Sequence, residues 1–272
     1  MGVGIAYVLS AAGFDVAVVE PDVGRQGAIR ARVTEISEAG VRRGAIGADE
    51  VVGLAERLTV VARLEDAPAR SAILVEAVPE SLELKQAVLA RAEGLEPGLL
   101  GTNTSSISID EIASGLAYPG RLIGLHFFNP VWVNPLVEIV VGDRTDDDAV
   151  VRARQLVADI GKEAVVVRDR PGFATSRLGV LLGLEAIRMV EDGVADAASI
   201  DRAMELGYRH PMGPLRLTDL VGLDVRLAIA ENLERAYGPR FTPPQLLRDM
   251  VRDGLLGKKV GRGFYEWPTS LA

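Results

Sequence analysis

The residues best suited to chemistry in this 272-residue chain are His126 and Glu138, 12 positions apart. His126 lies at the end of the apolar run RLIGLHFFNP (121–130), and Glu138 lies within the next run, LVEIVVG (136–142). Both runs have the length and composition of strands, and a proline-bearing loop joins them. Paired side by side, they put a carboxylate opposite an imidazole. A carboxylate on one ring nitrogen fixes the tautomer and stabilises the imidazolium, so such a pair suits removal of a hydroxyl proton near neutral pH. A histidine taken alone more often fills a satisfied core position. Ser105, in the turn NTSS (103–106) after a short apolar run, places a hydroxyl at the carboxyl edge of a sheet, where it either faces a cleft or caps a helix. The second histidine, His210, precedes Pro211 where one helix breaks and another starts, and reads as structural or as part of a pocket wall.

With two histidines and no cysteine, a metal centre of several imidazoles, a thiolate site, a disulfide and a cysteine nucleophile are all excluded. A net charge of −8 argues against general nucleic-acid binding, which requires a basic face. No apolar run approaches the ~20 residues of a membrane span. The apolar N-terminus has no basic leader and soon reaches Asp15 and Glu20, so it does not read as a signal peptide, and a cytoplasmic enzyme is the expectation.

The elements that must position these residues follow from the pattern. Apolar helices or amphipathic stretches at 3–13, 22–43, 81–95 and 146–161 alternate with strand-like runs at 15–20, 58–64, 72–78, 98–102, 121–130, 136–142 and 163–169. Ser81 stands at the N-cap of its helix. Strand and helix in alternation predict an α/β fold, a doubly wound and mostly parallel sheet. After Pro171 the pattern turns helical, with one long helix over 172–193 and further helices to about 252. The expected domains are 1–169, α/β, and 170–272, all-helical.

The N-terminal stretch MGVGIAYVLSAAGFDVAVVEPD carries Gly2 and Gly4 at the head of a helix, and Glu20 ends the following strand. That is the second half of a dinucleotide-binding turn. The glycines admit a pyrophosphate to the helix N-terminus, and the acid binds ribose hydroxyls and repels a 2′-phosphate, which favours NAD over NADP. A glycine-led helix and a solvent-facing acid have the same pattern.

Six segments in register raise the specificity: VEAVPESLELK (75–85), NTSSISIDEIA (103–113), GLHFFNPVWVNPLVEIV (124–140), DRPGFATSRL (169–178), HPMGPLRLTDLVGLD (210–224) and GKKVGRGFYEW (257–267). Across essentially its whole length the chain resembles the 3-hydroxyacyl-CoA dehydrogenase family, whose short-chain members are 3-hydroxybutyryl-CoA dehydrogenases. Family members begin with a strand and a turn of the form G-x-G-x-M-G-x-G-I-A. Met1-Gly2-Val3-Gly4-Ile5-Ala6 matches its second part, so the chain reads as lacking the first, central strand and the first two fingerprint glycines. Two neighbouring strands would then keep unpaired edges.

The resemblance implies a Rossmann-type domain followed by a helical substrate and dimerisation domain, NAD as cofactor, an acyl-CoA as substrate and a homodimer. It implies His126 as general base, Glu138 as its orienting partner and Ser105 as a hydrogen-bond donor to the substrate oxygen. It places Gly2, Glu20, Glu80, Lys85, Ser105, Asn129 and Lys259 around NAD. Ser176 stands where many members carry an active-site asparagine. Serine keeps a donor and an acceptor on a shorter side chain, which bears on substrate positioning and chain-length preference. Glu80, Lys85 and Lys259 also suit solvated positions. The arginines of the 22–43 helix (Arg30, Arg32, Arg42, Arg43) suit either CoA phosphates or a solvated face. The apolar LGVLLGLEAI (178–187) suits either core or interface. The expected reaction is NAD-dependent oxidation of a short-chain (S)-3-hydroxyacyl-CoA to the 3-ketoacyl-CoA. The alternatives are a dehydrogenase of a non-CoA hydroxy acid, such as a sugar acid or carnitine, and a truncated, non-catalytic chain that only dimerises.

Overall fold

The computed structural model describes residues 1–44 and 46–268. The chain divides into two compact units, Met1–Asp169 and Arg170–Ala272.

In the first unit the elements run α1 (Gly2–Ala11), β1 (Val16–Val19), α2 (Val23–Arg42), α3 (Ala48–Glu56), β2 (Leu58–Val61), β3 (Leu74–Glu76), α4 (Leu82–Glu93), β4 (Leu100–Thr102), α5 (Ile109–Ala113), β5 (Leu122–Phe127), β6 (Leu136–Val141), α6 (Asp147–Asp159) and β7 (Glu163–Arg168). Their sequences account for them. Asp22 caps α2 by accepting from Gly24 N at 2.9 Å, and Ile29, Val33, Ile36 and Gly40 form its buried stripe at helical spacing. Ser81 caps α4 by accepting from Leu84 N at 3.3 Å. α6 starts on Asp146, Asp147 and Asp148, which favour the positive end of the helix dipole, and buries Ala149, Ala153, Leu156 and Val157.

The strands form two sheets. β1 and β2 pair in parallel, and β3-β4-β5-β6-β7 form a mixed sheet, parallel except for the antiparallel β5–β6 pair. β1 and β3 each have a ladder partner on one edge only. Both sheets share one apolar core with α1 and α2. β5 and β6 are its central strands: every residue of β5 is buried. At the sheet's edge every residue of β7 is exposed or half-buried.

Three details depart from the sequence pattern. Residues 48–56 and 109–113 are further helices. The strand expected to reach residue 64 stops at Val61, and Leu64–Asp66 make a 3-10 turn. The long helix of the second unit starts at Thr175, because Gly172 and Phe173 both take positive φ, +79° and +48°.

The second unit is helical: α7 (Thr175–Glu191), α8 (Ala197–Gly207), α9 (Pro214–Val221), α10 (Leu223–Tyr237) and α11 (Gln245–Arg252). Leu184, Ile187, Leu215, Leu223, Ala230 and Leu247 form the centre of its core. Two buried aspartates tie the ends together. Asp201 accepts from Leu215 N and Arg216 N, both at 2.8 Å, and from the Tyr265 hydroxyl at 2.7 Å. Asp219 accepts from Phe264 N, Tyr265 N and Trp267 Nε1 at 2.8–2.9 Å. Only glycine fits at 263, where a Cβ would lie 2.2 Å from Asp219 Oδ1. The GKKVGRGFYEW motif is thus a turn folded around a carboxylate. No helix of the described residues is long and apolar enough to cross a membrane.

Candidate active site

Three adjacent parallel strands, β3, β4 and β5, end on one edge of the sheet, and the segments that follow them carry Glu80, Ser105 and the turn after His126. Asn103 joins the three ends. Its N–H donates to Glu76 O at 2.9 Å, and its Oδ1 accepts from Phe127 N at 3.0 Å. The N-terminus of α1 lies at the same edge: a Cβ at Gly2 would sit 3.6 Å from Ala77 Cβ, just past β3.

His126 and Glu138 are register partners on β5 and β6. His126 Nδ1 is 2.8 Å from Glu138 Oε2, with Glu138 at 0% exposure and His126 at 7%. The Phe128 ring packs against the imidazole at 4.4 Å between centroids. A buried carboxylate held on one ring nitrogen sets a tautomer with the proton on Nδ1 and stabilises a proton arriving on Nε2. The loop between the two strands is held from two sides. Lys162 donates to Val131 O and Asn134 O, both at 2.6 Å, and its burial holds its ammonium below the usual lysine range. Gly4 of α1 lies so close to Val131 that a Cβ would come within 2.9 Å of its Cγ2.

Ser105 sits in a nest of donors turned toward one carboxylate. Glu80 Oε1 accepts from Thr104 Oγ1 at 2.7 Å, Ser105 N at 2.9 Å, Ser106 N at 3.0 Å, Ser106 Oγ at 3.0 Å and Ser105 Oγ at 3.3 Å. Behind it, Lys85 Nζ lies 3.2 Å from Glu80 Oε2 and 2.9 Å from Glu76 Oε1. Thr102 Oγ1 donates to Glu76 Oε2 at 2.7 Å. Burial opposes ionisation of Glu80, but the hydrogen bonds from Thr104 and Ser105 and the charge of Lys85 outweigh it and hold the carboxyl below the usual range. Lys85 is only 1% exposed, so it braces Glu80 from within the protein. Glu76, Thr104 and Ser106 were not singled out from sequence. Glu76 is an acid inside an apolar strand run, and that was its one visible signal.

Gly2 opens α1 with no side chain capping its first turn, so its leading N–H groups are of the kind that bind an anion. Glu20 follows β1 and is half-buried; its Oε1 also accepts from Asp22 N at 2.9 Å. These residues fit the pyrophosphate and ribose ends of a dinucleotide. Asn129 is exposed in the turn after β5. In the second unit, Ser176 is half-buried near the start of α7, and Lys259 Nζ is bound to both oxygens of Asp224, at 2.6 and 2.5 Å. Among the described residues no cluster of histidines and carboxylates could hold a metal.

Comparison with known proteins gives this edge a family. The 3-hydroxyacyl-CoA dehydrogenase NAD binding domain matches residues 1–170, and the C-terminal domain of the same family matches 172–267. A 3-hydroxybutyryl-CoA dehydrogenase of Mycobacterium tuberculosis is 42% identical over 275 residues, covering 98% of this chain and 95% of that one. A probable 3-hydroxybutyryl-CoA dehydrogenase of Bacillus subtilis is 39% identical, covering 98% and 94%. The crystal structure of M. tuberculosis FadB2 superposes with a TM-score of 0.94 at 41% identity, over 98% of this chain and 95% of that chain. The structure of (S)-3-hydroxybutyryl-CoA dehydrogenase from Ralstonia eutropha does so with 0.93 at 33% identity, over 99% and 96%. The chain belongs to the 3-hydroxyacyl-CoA dehydrogenase family, with the Rossmann-type and helical architecture of its members, and is an NAD-dependent dehydrogenase.

Proposed function

We propose that the chain interconverts short-chain (S)-3-hydroxyacyl-CoA and 3-ketoacyl-CoA, with 3-hydroxybutyryl-CoA as a representative substrate. The observation that carries this reading is the His126 Nδ1–Glu138 Oε2 contact of 2.8 Å at the edge of the sheet. In the oxidative direction His126 Nε2 takes the proton of the substrate's 3-hydroxyl. Glu138 holds the ring and offsets the positive charge that forms, and it stays ionised. Ser105 donates to the substrate oxygen, from a loop that Glu80 fixes and Lys85 braces. NAD, when bound, supplies the hydride acceptor. The N–H groups at Gly2 and the carboxylate of Glu20 would hold its pyrophosphate and ribose, with Glu80 and Asn129 toward its nicotinamide half and Lys85 acting on it only through Glu80. Lys259 and Ser176 serve cofactor and substrate from the helical domain. In this reading residues 1–169 form the NAD domain, and 170–272 form the substrate and dimerisation domain of a cytoplasmic homodimer.

The test is oxidation of NADH with acetoacetyl-CoA, followed by absorbance, beside the same assay with gulonate and carnitine as substrates for NAD reduction. Turnover of acetoacetyl-CoA alone supports the reading. Turnover of gulonate or carnitine alone replaces it with a non-CoA hydroxy acid. Light scattering during size exclusion checks the dimer, which a monomer mass of 29.0 kDa would overturn.

A further inference from the structure

Two arginines of the helical unit stand beside an apolar cavity with no acid to balance them. The cavity has a volume of ≈ 320 Å³, and its walls come from residues 173–181 and the 3-10 turn Pro239–Phe241. The buried rings of Phe173 and Phe241 line it, together with Leu178 and Leu181, which are 67% and 37% exposed. Phe173 holds its place at φ +48°, a conformation that a bulky residue takes only where its surroundings impose it.

Arg177 and Arg240 supply the polar part of the lining. Both guanidiniums stack on the ring of Tyr237, 4.0 and 4.9 Å from its centroid, and Arg240 also lies 5.4 Å from the Phe241 centroid. Stacking holds a guanidinium by its face and leaves the N–H donors in its plane free. Among the described residues neither guanidinium has a hydrogen bond or an ion pair. Every acid of α7 and α10 has another partner. Glu185 pairs with Arg188, Asp224 with Lys259 and Glu231 with Arg248, while Glu191 accepts from Leu246 N and Glu234 from Thr242 Oγ1. Two like charges held on one ring repel each other, and an anion that both reach removes the repulsion.

We infer that this cavity binds a medium-chain carboxylate, with the carboxylate on Arg177 and Arg240 and the alkyl tail along Phe173, Leu178, Leu181 and Phe241. The lining has two parts, and each calls for one part of that ligand. A guanidinium matches a carboxylate through two parallel hydrogen bonds. The leucines and rings offer apolar surface that a hydrated ion leaves unused. The volume is at the lower end of ordinary ligand cavities, which suits one small amphipathic molecule. A free carboxylate carries neither a thioester nor a 3-hydroxyl, so the cavity is a receptor site that takes no part in turnover. Every residue invoked belongs to the helical unit, and the inference stands independently of the acyl-CoA reading.

The test is calorimetric titration of the full chain with octanoate, beside hexanoate, butanoate, octanol and inorganic phosphate. Octanoate is expected to bind at a single site per chain, and affinity to rise from butanoate to octanoate by up to about fourfold per methylene. Arg240→Gln, at an exposed side chain, should weaken octanoate at least about tenfold. Leu178→Asn should flatten the dependence on chain length and keep the fold, since that leucine is mostly exposed. Octanol binding as tightly as octanoate would show a cavity blind to charge, and phosphate doing so would show arginines blind to the tail; either overturns the proposal. Octanoate affinity unchanged in both variants places the ligand elsewhere and also overturns it. So does the absence of octanoate binding to the wild type. Light scattering that then finds a dimer in the wild type and a monomer in Leu178→Asn would assign the cavity to a second copy of the chain.

Discussion

His126 and Glu138 face each other across the only antiparallel pair in the larger sheet, Nδ1 to Oε2 at 2.8 Å. The pairing depends on register: a slip of one residue would turn every side chain of β6 to the opposite face. Replacing His126 by asparagine removes the proton acceptor and should lower kcat by about 10²–10⁴ with little change in KM. Glu138→Gln keeps the size but not the charge. It should lower kcat by roughly 10²-fold or more, because the amide no longer offsets the imidazolium. Near wild-type turnover in His126→Asn would remove the histidine from the mechanism.

Glu80 makes the loop that carries Ser105 sensitive to acid. Its folded-state carboxyl lies below the ordinary glutamate value of 4.5, because hydrogen bonds from Thr104 and Ser105 and the Lys85 charge outweigh burial. The stability it contributes is therefore fully present above pH 4.5 and is lost as pH falls through the depressed folded value. In Glu80→Gln the wild-type excess over the variant should shrink as the solution is acidified below that point, read by urea unfolding at a series of pH values. A constant difference between the two proteins across that range would contradict the account.

The Lys85–Glu76 pair behaves differently, since both side chains are fully enclosed. Lys85→Met leaves Glu76 as a buried carboxylate with only Val78 N and Thr102 Oγ1 as donors. The expected loss is about 3–5 kcal/mol of unfolding free energy. Adding Glu76→Leu to the same chain should recover part of it, because the uncompensated charge is then gone as well. A double variant less stable than the Lys85→Met single would show that the pair contributes by packing alone.

How much of this was visible beforehand depends on the range of the interaction. The β5–β6 pair was legible because two strand-length apolar runs flank a short proline loop, so local pattern and pairing coincide. The Ser81 cap was local in the same sense. The Glu76–Lys85–Glu80–Ser105 network was not, because it draws on β3, α4 and the segment after β4, and no periodicity links them. Lys85 read as a residue near NAD or a solvated helix residue, and neither reading places it inside the protein, where it is 1% exposed. The start of the long helix was placed three residues early, because positive φ at Phe173 is set by its surroundings and has no signature in composition. Arg226 gave no signal at all. Its peculiarity is a buried Nε with no hydrogen-bond partner, and only the fold can show that.

The last prediction concerns the C-terminal turn. Asp219 collects three donors, Phe264 N, Tyr265 N and Trp267 Nε1, and Asp201 takes the Tyr265 hydroxyl. Burial and the Asp201 carboxylate push that phenol well above the usual tyrosine range, so it remains a donor at any working pH. Tyr265→Phe removes one charge-assisted bond and should cost about 1.5–3 kcal/mol. Asp219→Ala leaves three donors without their acceptor and should cost more, with the turn detaching before the helical core unfolds. Limited proteolysis reads this directly. Cleavage within residues 257–267 should appear in Asp219→Ala at denaturant concentrations where the wild type is intact, and to a lesser degree in Tyr265→Phe. Cleavage that begins instead within α7 or α10 would mean that the carboxylate supports the helical core itself rather than the turn folded around it.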